Sequence, residues 1–292
     1  MNFKEQLKNY VEYFNSSLNE YLCTLDTSSP TVIREAISYA VCDGGKRIRP
    51  VLMFSAAEML GIGKEQVIKL AIALEMIHSY SLVHDDLPAM DNDDYRRGKL
   101  STHKKFGEAN GILAGDALLN LAMETALQTP CVTPEYFAAM KEIFKCSGYS
   151  GMIGGQVLDL QFEKSDAERT ESNLLKIYEN KTCKLIIAPL VVASRLAKNK
   201  YYDELYSLGY NLGLMFQFTD DILDVKGTLS SIGKTPHKDE NSNKFTSVSM
   251  FGELGAQKMN ENYYKKCVKI LKGIPDSAFL QSLVEYIYSR NN

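Results

Sequence analysis

Apolar side chains return every three or four residues along almost the whole chain, the period of an amphipathic α-helix. Phe3, Leu7, Tyr10, Phe14, Leu18 and Tyr21 make one stripe, and Val67, Leu70, Leu74, Ile77 and Ser81 mark a second long helix. Residues 107–127 are small or apolar on several faces, which predicts a central helix. Thr133-Pro134-Glu135 reads as a helix start, with Thr as N-cap and Pro in the first turn. A helix over 170–197 is expected to be interrupted near Pro189, where a backbone donor is missing. Another helix runs over 202–225, residues 226–245 read as a loop, and Pro275-Asp276 opens a last helix. No run of alternating β-branched residues is present, and no hairpin dipeptide joins two such runs. No long linker and no internal repeat divide the chain. The expected fold class is therefore all-α, a single-domain helical bundle over residues 1–292.

Composition narrows the function. Hydrophobic residues make up 45%, enough for a sizeable core, and a net charge of −3 removes the bulk basic field that nucleic acid requires. The six cysteines form no CxxC pair and read as reduced thiols in a cytoplasmic protein. The N-terminus interleaves charges with apolar residues, unlike a signal peptide. The longest apolar run, 185–193, is too short to span a bilayer and contains Pro189, so no transmembrane segment is expected.

Two acidic clusters stand out against the apolar pattern. Asp85-Asp86 and Asp91 follow Leu82-Val83; Asp220-Asp221 and Asp224 follow Leu214-Met215-Phe216. Carboxylates on faces that should be buried are costly unless a positive group compensates them. Asp220 and Asp224 share a helix face, and Phe216, Phe218, Ile222 and Leu223 around them argue against a solvated acidic surface. Asp85 and Asp91 would not share a face on a regular helix, so a bend at Pro88 is needed to bring them together. Two such clusters facing each other would form a cage of hard oxygen ligands suited to Mg²⁺ with substrate phosphates.

The cations that could hold those phosphates are Lys46 and Arg49 in Gly44-Gly45-Lys46-Arg47-Ile48-Arg49-Pro50, Arg96 and Arg97, Lys181, Lys234 and Lys244. Without the acidic clusters, the 44–50 loop and Arg96-Arg97-Gly98-Lys99 would read rather as solvated basic turns. His78 lies seven residues before Asp85, nearly on the same face, and is either a ligand or a satisfied structural residue. Lys181-Thr182 and Gln217 lie in apolar helical patterns. They either belong to a core network or aim dipoles at a developing positive charge.

Together, GGKRIRP, HSYSLVHDDLPAMDNDDYRRG, GEANGILAGDALL, GGQVLDL, KT and FQFTDDILD followed by GK closely resemble the trans-isoprenyl diphosphate synthases, across residues 44 to about 244. The resemblance implies an all-helical fold around a deep apolar cavity, usually a homodimer. It also implies an enzyme with three Mg²⁺ that joins isopentenyl diphosphate to an allylic diphosphate, dimethylallyl or geranyl. Asp85, Asp86 and Asp91 would bind Mg²⁺ on the allylic diphosphate from one side; Asp220, with Asp221 and Asp224, would do so from the other. Arg96, Lys181 and Lys234 would hold that diphosphate, helped by Lys244. Lys46, Arg49, His78 and Arg97 would hold isopentenyl diphosphate, with Thr182 and Gln217 beside the reacting carbons.

Within the family the chain is most similar to bacterial farnesyl diphosphate synthases. Tyr80 lies five residues before Asp85, where a bulky aromatic, with a two-residue insertion in the first acidic motif, would limit the product to fifteen carbons; Ser81 is its neighbour. Geranylgeranyl and geranyl diphosphate synthases differ only in that length. A class I terpene cyclase typically mixes Asn, Ser and Glu in its second motif, unlike DDILD, and an inactive regulatory subunit tends to lose one cluster. The segment Phe245-Thr246-Ser247-Val248 departs from the family pattern, which puts local packing there in question.

Overall fold

The computed structural model describes residues 2–42, 44–129, 133–164, 169–226 and 244–289. Among the described residues every regular element is helical apart from one short hairpin, as the periodicity predicts. The chain groups into two compact units, Met1–Phe54 with Lys64–Val132, and Ser55–Gly63 with Thr133–Asn292.

The first unit holds α1 (Phe3–Leu22), α2 (Thr31–Cys42), the start of α3 (Ile48–Met59), α4 (Lys64–Asp85), α5 (Thr102–Phe106) and α6 (Glu108–Leu127). The α1 stripe buries Tyr10, Phe14, Leu18 and Tyr21, and α4 buries Leu70, Ala71, Leu74, Met76 and Ile77 among others. Each large apolar side chain so buried contributes about 1.5–3 kcal/mol. By length and hydropathy α4 is the one described helix that could cross a membrane, but most of it is buried inside the fold, as in a core helix. The expected central helix, α6, packs its small face (Ala114, Leu118, Ala122) inward but leaves Ile112, Leu113, Met123 and Leu127 exposed. It is covered on one side only.

Strands β1 (Tyr95–Arg96) and β2 (Lys99–Leu100) form a hairpin that sequence patterning did not predict. Its strands are two residues long, too short to show a period of two. Its tip, Arg97-Gly98, has φ of 54° and 78°, the conformation that a tight two-residue hairpin turn requires.

The second unit holds α7 (Pro134–Ser147), α8 (Met152–Lys164), α9 (Glu171–Tyr178), a π-helical turn (Glu179–Cys183), α10 (Lys184–Leu196), α11 (Tyr202–Lys226), α12 (Ser247–Lys272) and α13 (Ala278–Tyr288). Thr133 caps α7 as expected, accepting from the Tyr136 amide at 3.1 Å. The interruption expected at Pro189 falls elsewhere. Pro189 is buried inside α10, and regular α-helix gives way at the π turn, which carries Lys181 and Thr182.

Candidate active site

The first acidic cluster stands at the C-terminus of α4. The chain bends at Pro88 and folds back, so that the Asp91 amide donates to the Asp85 carbonyl at 2.8 Å and the Asp93 amide to the Asp86 carbonyl at 3.1 Å. These bonds satisfy carbonyls that a helix end leaves open and bring Asp91 back beside Asp85, as the spacing argument requires. Asp86 is buried and receives two nitrogens of the Arg96 guanidinium; Arg96 Nη2 also lies 3.5 Å from Asp93. Asp86, Arg96 and Arg97 join Ser79 and Tyr39 in lining a small cleft.

The basic loop 44–50 divides its cations. Arg47, only 3% exposed, turns inward to Glu75 at 2.8 Å, to Asn15 at 3.0 Å and to the Val41 carbonyl at 2.8 Å, and its guanidinium lies over the Phe14 ring. Lys46 is left exposed and Arg49 half-buried. Arg97 donates to the Gly44 carbonyl at 2.8 Å and packs so tightly on Gly45 that a Cβ there would lie 2.9 Å from the guanidinium. Gly45 is favoured by its φ of +103°, while the Arg97 side-chain end could shift to admit a Cβ. Burial, then Arg49, Arg97, Arg96 and Arg47, holds the His78 imidazole well below its ordinary pKa. His78 is therefore neutral at pH 7.

Removing Glu75 would leave Arg47 as an uncompensated buried charge. Glu75→Ala is expected to lower the unfolding free energy by roughly 3–5 kcal/mol in urea titrations. A loss under about 1 kcal/mol would show that the loop is held by other contacts.

In the second unit, the π turn displays Lys181 and Thr182. A Cβ on Gly155 of α8 would lie 2.2 Å from the Lys181 backbone nitrogen, so only glycine lets the two segments approach this closely. Lys181 Nζ pairs with Asp159 at 2.5 Å. Thr182 Oγ1 donates to Gln217 Oε1 at 2.7 Å, and Gln217 Nε2 donates to Asp221 Oδ1 at 2.9 Å. The other oxygen of Asp221 accepts from the Tyr178 hydroxyl, the Ser247 amide at 2.8 Å and the Ser247 hydroxyl at 2.6 Å. Burial pushes the Asp221 pKa upward against these donors. Asp220 is exposed and Asp224 half-exposed on the same helix. Lys244 lies 3.8 Å from Glu163. Lys234 lies outside the described residues.

Phe245 and Ser247, where the sequence departs from the family pattern, are both buried. Phe245 packs on Phe162, and Thr246 caps α12 through reciprocal bonds with Ser249. Sequence reasoning gave no role to Arg47, Glu75, Asp159, Tyr178 or Ser247, each of which has a side-chain partner 22 to 69 residues away along the chain. Asp159 lies in GGQVLDL and Arg47 in GGKRIRP, so both stood within segments that the resemblance marks.

The donor set fits Mg²⁺. The candidate ligands are carboxylate oxygens alone, and no three His, Cys, Asp or Glu side chains among the described residues gather into a ready-made cage. Each cluster would supply carboxylate oxygens to an ion that keeps waters and takes substrate phosphates.

Known proteins resemble the chain along its full length. The polyprenyl synthetase family model matches residues 30–286. Farnesyl diphosphate synthase of Micrococcus luteus is 42% identical over 285 residues, 95% of this chain and 96% of that protein. Geranylgeranyl diphosphate synthase of Cyanophora paradoxa is 38% identical over 287 residues, covering 96% and 94%. The crystal structure of a Helicobacter pylori geranyltransferase complexed with magnesium and isoprenyl diphosphate superposes with a TM-score of 0.86 at 30% identity, covering 99% of this chain and 97% of that one. With both acidic motifs in their helical settings and a match that takes in nearly every residue, the chain belongs to the polyprenyl synthetase family.

Proposed function

We propose that this chain is a farnesyl diphosphate synthase, extending dimethylallyl and geranyl diphosphates with isopentenyl diphosphate, and that residues 1–292 act as one catalytic domain. The family match, which runs through both units, supports the second point. The observation that carries the first is the polar chain Thr182–Gln217–Asp221, set in an otherwise apolar region of α11 beside Asp220. It offers oriented dipoles within one helical turn of a carboxylate suited to metal.

Asp85 and Asp91, and Asp220 and Asp224, would hold up to three Mg²⁺. When bound, the metal supplies Lewis-acid neutralisation of the allylic diphosphate. Asp86 aims Arg96 at that diphosphate, Asp159 does the same for Lys181, and Lys234 and Lys244 add charge. Lys46, Arg49, Arg97 and neutral His78 take isopentenyl diphosphate. The allylic C–O bond breaks with its electron pair on the departing diphosphate. The isopentenyl double bond then attacks the allylic carbon, forming the new C–C bond, and a proton passes to the released diphosphate. Residues Thr182 and Gln217 meet the transient positive charge with oxygen dipoles.

A homodimer is part of this proposal, supported by the exposed apolar row Ile112, Leu113, Met123 and Leu127 on α6. A cytoplasmic setting is supported by free Cys23, Cys146, Cys183 and Cys267. A twenty-carbon product is the competing reading, since a geranylgeranyl diphosphate synthase is 38% identical. Incubation with Mg²⁺, labelled geranyl diphosphate and isopentenyl diphosphate should give a fifteen-carbon diphosphate, and chelation should abolish it. A mainly twenty-carbon product would refute the length assignment, and no condensation at all would refute the enzyme.

A further inference from the structure

Thr182 can serve a developing carbocation only if its oxygen lone pairs, and not its proton, point to the substrate. A free hydroxyl rotates, so something must hold the proton away. The hydrogen-bond chain in the second unit has a direction that does this. Every partner of Asp221 is a donor, so both of its oxygens accept. Its Oδ2 is filled by the Tyr178 hydroxyl and by the amide and hydroxyl of Ser247, and its Oδ1 takes the Gln217 amide NH₂ at 2.9 Å. With its NH₂ committed to Asp221, Gln217 can present only its carbonyl to Thr182. That carbonyl accepts the one Thr182 hydroxyl proton at 2.7 Å. The Thr182 oxygen then has only lone pairs left to offer elsewhere.

The anchor of this chain is built into the fold. Ser247 is the first residue of α12, so its amide is one of those that a helix start leaves without an internal partner, and the helix dipole favours an anion there. Ser247 is fully buried, and the Tyr178 ring is fixed edge-on against Phe218 at 5.8 Å between centroids. Neither has solvent as a competing partner. Both lie outside the residues that would touch diphosphate or metal.

We propose that Ser247 and Tyr178 are positioning residues. By holding Asp221 as an acceptor they set the direction of the Asp221–Gln217–Thr182 chain and turn the Thr182 lone pairs toward the allylic carbon. The inference rests on the functional reading above, in which Thr182 stands beside the reacting carbons. It gives Asp221 an employment other than metal ligation, because both of its oxygens are already engaged.

The test is a double-mutant cycle. Ser247→Ala is expected to lower kcat about tenfold, the worth of one hydrogen bond to a charged group. The KM for geranyl diphosphate and the Mg²⁺ concentration for half-maximal rate should stay within about twofold, and Ser247→Thr should restore most of the rate. Binding of a non-ionising thiolodiphosphate analogue, followed by calorimetry, should be unchanged. In a Thr182→Val background, Ser247→Ala should change kcat by less than about twofold, because the hydroxyl through which it acts is gone. Tyr178→Phe serves as the second arm of the same cycle should Ser247→Ala fold poorly. Additive losses in the double variant, or a raised Mg²⁺ requirement for Ser247→Ala, would overturn the proposal while leaving the synthase reading intact. A wild-type protein that makes no prenyl product would overturn both.

Discussion

Asp220→Ala is expected to lower kcat by about 10³-fold, near 4 kcal/mol of transition-state stabilisation, the scale on which metal-ion charge neutralisation contributes. The contrast with its neighbour makes the prediction specific. Asp220 is solvent-exposed on α11, while Asp221, one residue on, is 4% exposed with its carboxylate held by Gln217, Tyr178 and Ser247. Only the first presents an oxygen to solvent, where an ion that keeps several waters must dock. Asp220→Ala should therefore raise the Mg²⁺ concentration needed for half-maximal rate and weaken Mg²⁺-dependent binding of a non-ionising allylic analogue in calorimetry. Asp221→Asn should slow turnover with little change in either. Near-wild-type turnover by Asp220→Ala at saturating Mg²⁺ would remove the second cluster from the metal site.

The two acidic clusters could be read from the chain because charge in an apolar helical pattern conflicts with the cost of burial, whatever surrounds it. The fold-back of Asp91 on Asp85 was equally accessible, because Pro88 leaves the backbone few alternatives. Position 189 shows the limit of that logic. Proline marks a possible interruption, yet the helix gives way at 179–183, where a π turn disturbs the apolar period too little to be noticed. The basic loop shows another limit. Lys46, Arg47 and Arg49 look alike as charges, and only tertiary contact with Glu75, 28 residues on, makes Arg47 structural. Ser247 was hidden for the same reason. Its value comes from Asp221, 26 residues earlier, and from Tyr178, 69 residues earlier, and no local pattern reports either distance.

Tyr80→Ala is expected to shift the main product from fifteen to twenty carbons or more. Tyr80 lies five residues before Asp85 on α4, about 7.5 Å along the axis at about 1.5 Å per residue. That is within reach of a prenyl chain whose diphosphate is held at the acidic end. The side chain is 5% exposed, its ring stands edge-on to His84 at 5.8 Å, and its hydroxyl has no hydrogen-bond partner among the described residues. Burial, with Asp85 nearby, pushes the phenol up to about 12, so it stays neutral. A buried hydroxyl without a partner costs about 1–3 kcal/mol, which makes the ring itself, and not the phenol, the useful part. Tyr80→Phe should therefore keep the fifteen-carbon product with equal or higher stability. Tyr80→Ala exchanges an aromatic ring for space at some cost in stability, of order 3–5 kcal/mol for a buried aromatic. Ser81 is a weaker determinant, because its hydroxyl already donates to the His78 carbonyl at 2.8 Å within the helix. The measurement is the product profile of each variant under excess isopentenyl diphosphate. An active Tyr80→Ala that still stops at fifteen carbons would mean that other residues close the chain's path.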